Sequence, residues 1–322
     1  MKEQLDRRLI IDGIGTEERV QFPINNPLID AGVLKRPEIT TYEDALAWNK
    51  QAQEHEEKTM TFLQEYAHVK LTPKYGKNVW IINFSDIHWG HKDVDYNRVD
   101  HMFNIVERTP DTYMTIGWNL LDAAIPSQFP DGVMWSSQTA QEQVYTFREK
   151  LLKIHGMNKL LGGIGDASCH EGWMTKKTGW MVYKELFEGI DVPLLYNGGY
   201  MDISVGEQTY RTAMFHKIKY WSQFNKTHGG DRAMDRLVDA EIVFTSHMHF
   251  AATGQSQRYN PPFSKDTAVV ASGTCKLKDR WARGQMGVTG ERIGQGIILW
   301  ADDHVFNTTY DLDAGARLMT HE

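Results

Sequence analysis

The sequence predicts an α/β protein preceded by a helical N-terminal arm. Three observations lead there: short apolar runs separated by amphipathic stretches from Val79 onward, polar residues clustered just after those runs, and a first quarter of different character. With 322 residues, 41% of them apolar, the chain can bury a sizeable core, so disorder is not the starting assumption.

The arm comes first. Pro23, Pro27 and Pro37 punctuate an irregular beginning, and Thr40-Thr41-Tyr42-Glu43 reads as a capping box opening a helix that runs to about Val69. Its apolar positions Leu46, Ala47, Met60, Leu63 and Tyr66 recur only loosely, and Gln51 to Lys58 is almost entirely polar. That pattern describes a solvated arm packed by its ends; an arm for self-association or a protein partner is the alternative, and it lacks a sustained heptad. Beyond the arm, Val79 to Phe84 predicts a buried strand, Asn97 to Glu107 a helix, Tyr113 to Ile116 a strand, Gln138 to His155 a long helix and Leu160 to Ile164 a third strand. Tyr200 to Val205 and Tyr210 to Phe215 form strands around the turn at Gly206-Glu207-Gln208. Met234 to Val238 is a helix, and Ile242 to Thr245, Val269 to Ser272 and Gly296 to Trp300 are strands. With no internal repeat or flexible linker, the division is a 1–76 extension and a single 77–322 domain.

Composition narrows the function. With 42 acidic against 35 basic residues the net charge is −7, so no global cationic field draws in nucleic acid, although a local basic groove remains compatible. Cys169 and Cys275 are too few for a disulfide framework, which fits a reducing cytoplasm. No run approaches the ~18 apolar residues of a spanning helix, so no membrane partner is expected.

The chemistry-bearing residues gather where open α/β sheets place their ligands, at the C-terminal ends of strands. Asp86 and His88 follow the first strand, Trp118 to Asp122 the second, Gly165-Asp166-Ala167 the third, His216 the strand ending at Phe215, and His247 with His249 the strand ending at Thr245. Asp-x-His in an extended segment offers an oxygen and a nitrogen on one face, and His-x-His offers two nitrogens. Two such pairs facing each other can hold divalent ions ~3.5 to 4 Å apart, an arrangement that polarises a phosphoryl group.

In their order and spacing, Asp86-x-His88, Gly117-x-Asn119-x-x-Asp122, His216 and His247-x-His249 resemble the calcineurin-like metallophosphoesterase family, from about Val79 to at least Arg283. Asn225-x-Thr227-His228 and Ser272-Gly273-Thr274-Cys275-Lys276 are similar to members found in phages and prophages. The resemblance implies a metallophosphoesterase-type β-sandwich flanked by helices. It also implies that Asp86, His88 and His249 bind one ion, and that His216 and His247 bind a second. The family's second motif is Gly-Asp, whose Asp bridges both ions; here Gly117 is followed by Trp118. An indole offers a metal no lone pair, and its bulk would fill the shared space. Asn119 and Asp122 then belong behind the ligands.

The family's third motif, Gly-Asn-His-Asp or Gly-Asn-His-Glu, fits in two ways. Gly165 on the glycine makes Asp166 the ligand and puts Ala167 where the catalytic histidine belongs. Cys169-His170-Glu171 on Asn-His-Glu keeps His170 for the leaving group and sets a cysteine at the ligand position. A glycine directly after a strand favours the first.

The resemblance therefore implies one or two divalent ions (Mn, Zn, Fe or Mg), or none. The expected function is a metallophosphoesterase-fold pseudoenzyme with a binding or structural role, as in a phage, located in the host cytoplasm or virion. The alternative is an active metal-dependent phosphodiesterase, nuclease or phosphatase using one metal or an altered pair, with a phosphoester or nucleic acid as its partner.

Overall fold

A computed structural model of the chain describes residues 37, 39–59, 63–125, 132–166, 169–219, 222, 224–236, 240–260, 263–277, 283 and 290–320. The fold is mixed α/β, with eight helices and eleven strands among these residues, and no described helix is long and apolar enough to cross a membrane.

The arm is shorter than its sequence suggests. Helix α1 covers Tyr42–Thr59, opened by Thr41 and Asp44, each of whose side chains accepts a hydrogen bond from the other's backbone N–H. The helix predicted to reach Val69 stops there, and strand β1 (Leu63–Leu71) follows, paired in parallel with β5 (Leu194–Val205). The physical reason is a change of period. Ala67 is buried and Val69 and Leu71 partly so, whereas Tyr66, His68 and Lys70 face outward, which is the alternation of a strand. The sheet thus begins before residue 77.

Strands β2 (Asn78–Ser85), β3 (Thr112–Trp118) and β4 (Leu160–Asp166) run parallel to one another and to β5. β2 beyond its first residue and all of β3 are buried, as parallel strands covered on both faces must be. Helix α2 (Tyr96–Arg108) covers them with Val99, Met102, Phe103 and Val106, its first turn capped by Asp95, which accepts from the Arg98 N–H at 3.0 Å. The short helix α3 (Gly132–Trp135) leads to α4 (Ala140–Gly156), which buries Val144, Phe147, Leu151 and Ile154 and opens on a Thr139/Glu142 capping box. Helices α5 (Glu171–Thr178) and α6 (Val182–Leu186) lead into β5.

β5 carries the sheet around a corner. Its first residues pair with β4 and its last seven with antiparallel β6 (Gln208–Phe215). After helix α7 (His228–Arg236) come β7 (Ile242–Thr245), β8 (Ala252–Asn260) and β9 (Phe263–Ala271), with β7 and β9 parallel to β6. β10 (Gly296–Trp300) returns antiparallel to β2, followed by β11 (Phe306–Thr309) and helix α8 (Leu312–Thr320). The result is one eleven-stranded sheet, ten strands in the order β11-β10-β2-β3-β4-β5-β6-β7-β9-β8 with β1 joined to β5 off this path, nearly closed on itself. Gln255 of β8 donates to the Phe306 carbonyl of β11 at 2.7 Å, and the Tyr210 hydroxyl of β6 lies 2.7 Å from the Trp300 carbonyl. The core packs between the turns of this sheet and its helices, with Trp80, Trp118, Phe84, Phe103 and Phe147 its largest fully buried apolar side chains.

Close backbone approach limits one position sharply. Gly163 in β4 has φ +145°, and a Cβ there would lie 2.2 Å from the Ile116 carbonyl oxygen of β3. Gly163→Ala is expected to cost about 2 kcal/mol or more, measured by urea unfolding, because the Ile116 backbone cannot rotate away.

Candidate metal centre

The parallel strands of both halves of the sheet point their C-terminal ends at one edge, and there the predicted residues meet. β2 delivers Asp86 and His88, β3 delivers Trp118 and Asn119, β6 delivers His216, and β7 delivers His247 and His249. The halves are joined directly across this edge. The His247 backbone N–H donates to Asp86 Oδ2 at 2.8 Å, His216 Nδ1 donates to the Gly117 carbonyl at 2.8 Å, and Asn83 Nδ2 donates to Ser272 Oγ at 2.8 Å. Gly117 permits this approach, since a Cβ would sit 2.7 Å from both Ser246 Oγ and Ser85 Cβ.

The side chains converge by a different route from the one the sequence suggests. Asp86 and His88 do not share the face of an extended segment; both are left-handed, with φ of 51° and 55°. Trp118, Asn119, His170, His247 and His249 are left-handed as well, so seven of the eleven described non-glycine residues with positive φ lie at this edge. Such conformations cost on the order of 1–3 kcal/mol each and persist where the surroundings dictate them, typically at functional sites.

Three ligand groups result. Asp86, His88 and His249 form the first: His88 Nε2 is 3.1 Å from His249 Nε2, and Asp86 Oδ1 is 3.6 Å from His249 Nε2 and 4.0 Å from His88 Nε2. Cys169, His216 and His247 form the second, with His216 Nε2 3.2 Å and Cys169 Sγ 3.6 Å from His247 Nδ1. His88, Asp122 and His170 form a third behind the first. His170 Nδ1 donates to the Asp122 carbonyl at 2.5 Å, and its ring meets that of His88 edge-on at 4.5 Å. Asp122 Oδ1 lies 3.8 Å from His88 Nδ1 and 3.9 Å from Lys276 Nζ, while its Oδ2 accepts from Ser136 Oγ. Asn119 donates to Asp86 Oδ1 at 3.1 Å. Asn119 and Asp122 thus sit behind Asp86 and His88.

Electrostatically the edge is a cluster of imidazoles around the buried Asp86 carboxyl. Burial opposes ionisation of Asp86, but His216, His249 and His247 around it outweigh burial and hold its carboxyl well below the usual carboxylate range. Burial, the largest cause, lowers His88, His170, His216 and His247, with His170 and His247 down to about 3. Burial also pushes the Cys169 thiol up to about 12, so without a cation it is a thiol and no nucleophile. Glu171, fully buried with Oε1 accepting from the Leu121 N–H at 2.7 Å, is pushed up to about 8 by burial.

The donors fit a cation. Ligand atoms sharing an ion with bonds of about 2.0–2.3 Å lie roughly 3 to 4 Å apart, the range seen in the first group. His88 Nδ1, Asn119 Oδ1 and Ser246 Oγ are buried polar atoms with no hydrogen-bond partner among the described residues, as expected of a site shaped around something more than protein.

Other predicted residues fall elsewhere. Asp166 ends β4 but its side chain, like the whole of Ala167, lies outside the described residues. Trp118 is fully buried and packs in the main hydrophobic core, its indole nitrogen without a hydrogen-bond partner among the described residues. Its carbonyl accepts from the Asp86 N–H and from Ser85 Oγ, both at 2.9 Å, so the backbone at this position still shapes the site. Lys276 is buried. Cys169 enters a ligand group although the glycine-after-strand rule favours Asp166; the signal for it was the unbroken Cys169-His170-Glu171 run. Glu171 as a buried carboxyl had no sequence signal of its own.

Fold and site together define a mixed α/β protein with buried His/Asp/Cys groups able to hold a metal ion. Comparison with known protein families and with curated proteins finds no match.

Proposed function

We propose that this chain is a metal-binding protein of the calcineurin-like metallophosphoesterase architecture, its folded-over sheet being that family's sandwich. In this reading a divalent ion is held by Asp86, His88 and His249, and the dinuclear hydrolytic function has been given up for a binding or structural role. One observation carries the reading. The residue that should bridge two ions is Trp118, and its side chain is buried among apolar partners. Three converging ligands with a single ionised carboxylate suit one ion of the Mn, Fe or Zn type, whereas two adjacent cations need an anion between them. When bound, such an ion acts as a Lewis acid toward an oxygen ligand. The chain's own groups fix the site: Asn119 donates to Asp86 Oδ1, and Ser85 Oγ and the His247 N–H meet Oδ2.

A second reading, phosphoester hydrolysis with a single ion, is favoured by His170, which lies edge-on to His88 with its Nδ1 fixed on the Asp122 carbonyl. The two readings part in one experiment. The full chain is expected to bind manganese, His249→Ala to weaken that binding about tenfold or more, and neither to hydrolyse bis(p-nitrophenyl) phosphate above buffer. Turnover abolished by His170→Ala would establish hydrolysis instead. Absence of manganese binding would overturn both.

A further inference from the structure

We infer that the N-terminus of α7 is an oxyanion site, which takes the terminal oxygens of a phosphate-type group in a pocket shared with the ends of β7 and β9. No residue of the three ligand groups lines this pocket.

The run Asn225-Lys226-Thr227-His228, which the metal centre leaves unused, leads into one wall. Asn225 Oδ1 accepts from the Thr227 N–H at 3.2 Å, a side-chain turn that starts the helix. The His228 N–H then donates to the Asn225 carbonyl at 3.1 Å, and the Asp231 N–H to the Thr227 carbonyl at 3.0 Å. Between these two, the Gly229 and Gly230 N–H groups have no acceptor among the described residues, and both glycines line the pocket. Free N–H groups in the first turn of a helix, backed by its aligned peptide dipoles, are a ready partner for an oxyanion. The glycines differ in why they are there. A Cβ at Gly230 would lie 2.5 Å from Val269 Cγ1, so packing against β9 requires glycine. At Gly229 a Cβ would meet nothing nearer than Ile218 Cγ2 at 3.7 Å, yet glycine is a poor helix former. Bare backbone beside a pocket is what close approach of a ligand asks for.

The facing wall points to a ligand independently. Ser246 lines the pocket, is only 7% exposed, and its Oγ has no hydrogen-bond partner among the described residues. A buried hydroxyl without a partner is unfavourable, and an oxyanion oxygen would satisfy it. Lys226 supplies charge. Its Nζ pairs with Glu291, whose Oε2 accepts from the Ala251 N–H, but an ammonium has three hydrogens and Glu291 does not line the pocket. Lys217 and Lys219, on either side of the lining residue Ile218, are exposed and add positive charge locally to a chain of net −7. Size selects the ligand. The space is about 30 Å³, and since ~10–15 Å³ already holds a water, it admits oxygens and not rings.

Titration of the metal-free, full-length chain with inorganic phosphate, followed by NMR with glycine-selective nitrogen-15 labelling, tests this. The Gly229 and Gly230 amide protons should move downfield and saturate, and sodium chloride at equal ionic strength should not move them. Lys226→Met and Ser246→Ala should each weaken phosphate about tenfold, the loss of one hydrogen bond to a charged group. Lys150→Ala, which removes a lysine paired with Asp100, should change nothing. Glycerol 2-phosphate identifies the source of the group: affinity equal to that of phosphate supports a phosphoryl group carried on a larger molecule, and binding of phosphate alone supports a free anion. No saturable shift at either glycine, or shifts of undiminished affinity in both variants, would overturn the inference. Were Ser246→Ala to misfold by circular dichroism, the shifts in the unaltered chain and in Lys226→Met decide. With no metal present, failure here leaves the manganese result for Asp86, His88 and His249 untouched.

Discussion

Trp118→Asp is expected to destabilise the metal-free protein by roughly 4 kcal/mol or more and to make its stability respond to manganese. Removing a large buried aromatic from a packed core costs about 3–5 kcal/mol through lost contacts and the cavity left behind. Trp118 is fully buried within the main core, so little of that loss can be relaxed away. A carboxylate in its place adds the penalty of an uncompensated buried charge, worth several kcal/mol more unless a cation accompanies it. That condition makes the result diagnostic. If the aspartate reaches the edge where Asp86 and the histidines converge, manganese should restore a measurable part of the lost stability in urea unfolding. Trp118→Phe, which keeps an apolar ring, should lose less and gain no response to metal. Equal behaviour of the two variants would mean that position 118 no longer faces the ligands.

Asp86→Ala is the second large effect. Two N–H donors end on this carboxylate, Asn119 Nδ2 at 3.1 Å and the His247 N–H at 2.8 Å, and the Ser85 hydroxyl, whose one proton is shared with the Trp118 carbonyl, lies 3.0 Å away. Hydrogen bonds to a charged group contribute about 1.5–3 kcal/mol each, and donors left buried without partners incur their full desolvation cost. The His247 contact also joins the two halves of the sheet. Loss of about 3–5 kcal/mol by denaturant unfolding is expected, together with loss of manganese binding. Asp86→Asn should keep most of the stability and still lose the ion, because an amide preserves shape but not charge.

Legibility from sequence followed burial. β2, β7 and β10 announce themselves as short apolar runs because helices or the opposite part of the sheet cover them. β8 did not, since Ala252–Asn260 reads Ala-Thr-Gly-Gln-Ser-Gln-Arg-Tyr-Asn and is held by its backbone ladder to β9. β1 was hidden by its neighbour, a polar helix whose loose apolar spacing ran on into an alternating segment. At the site, Asp86-x-His88 and His247-x-His249 were legible as pairs, although the reason offered was incomplete. Left-handed backbone brings these side chains together, and φ leaves little trace in a sequence when the residues are not glycine. A long-range contact, Cys169 against His247, brings the thiol into a ligand group, whereas the Asp166 side chain lies outside the described residues.

The most direct measurement is anomalous diffraction from crystals of the full chain grown with manganese. Metal binding by Asp86, His88 and His249 predicts a peak bounded by Asp86 Oδ1, His88 Nε2 and His249 Nε2, with the indole of Trp118 remaining in the core. An absence of density among those three atoms, in protein shown to be folded, would contradict it.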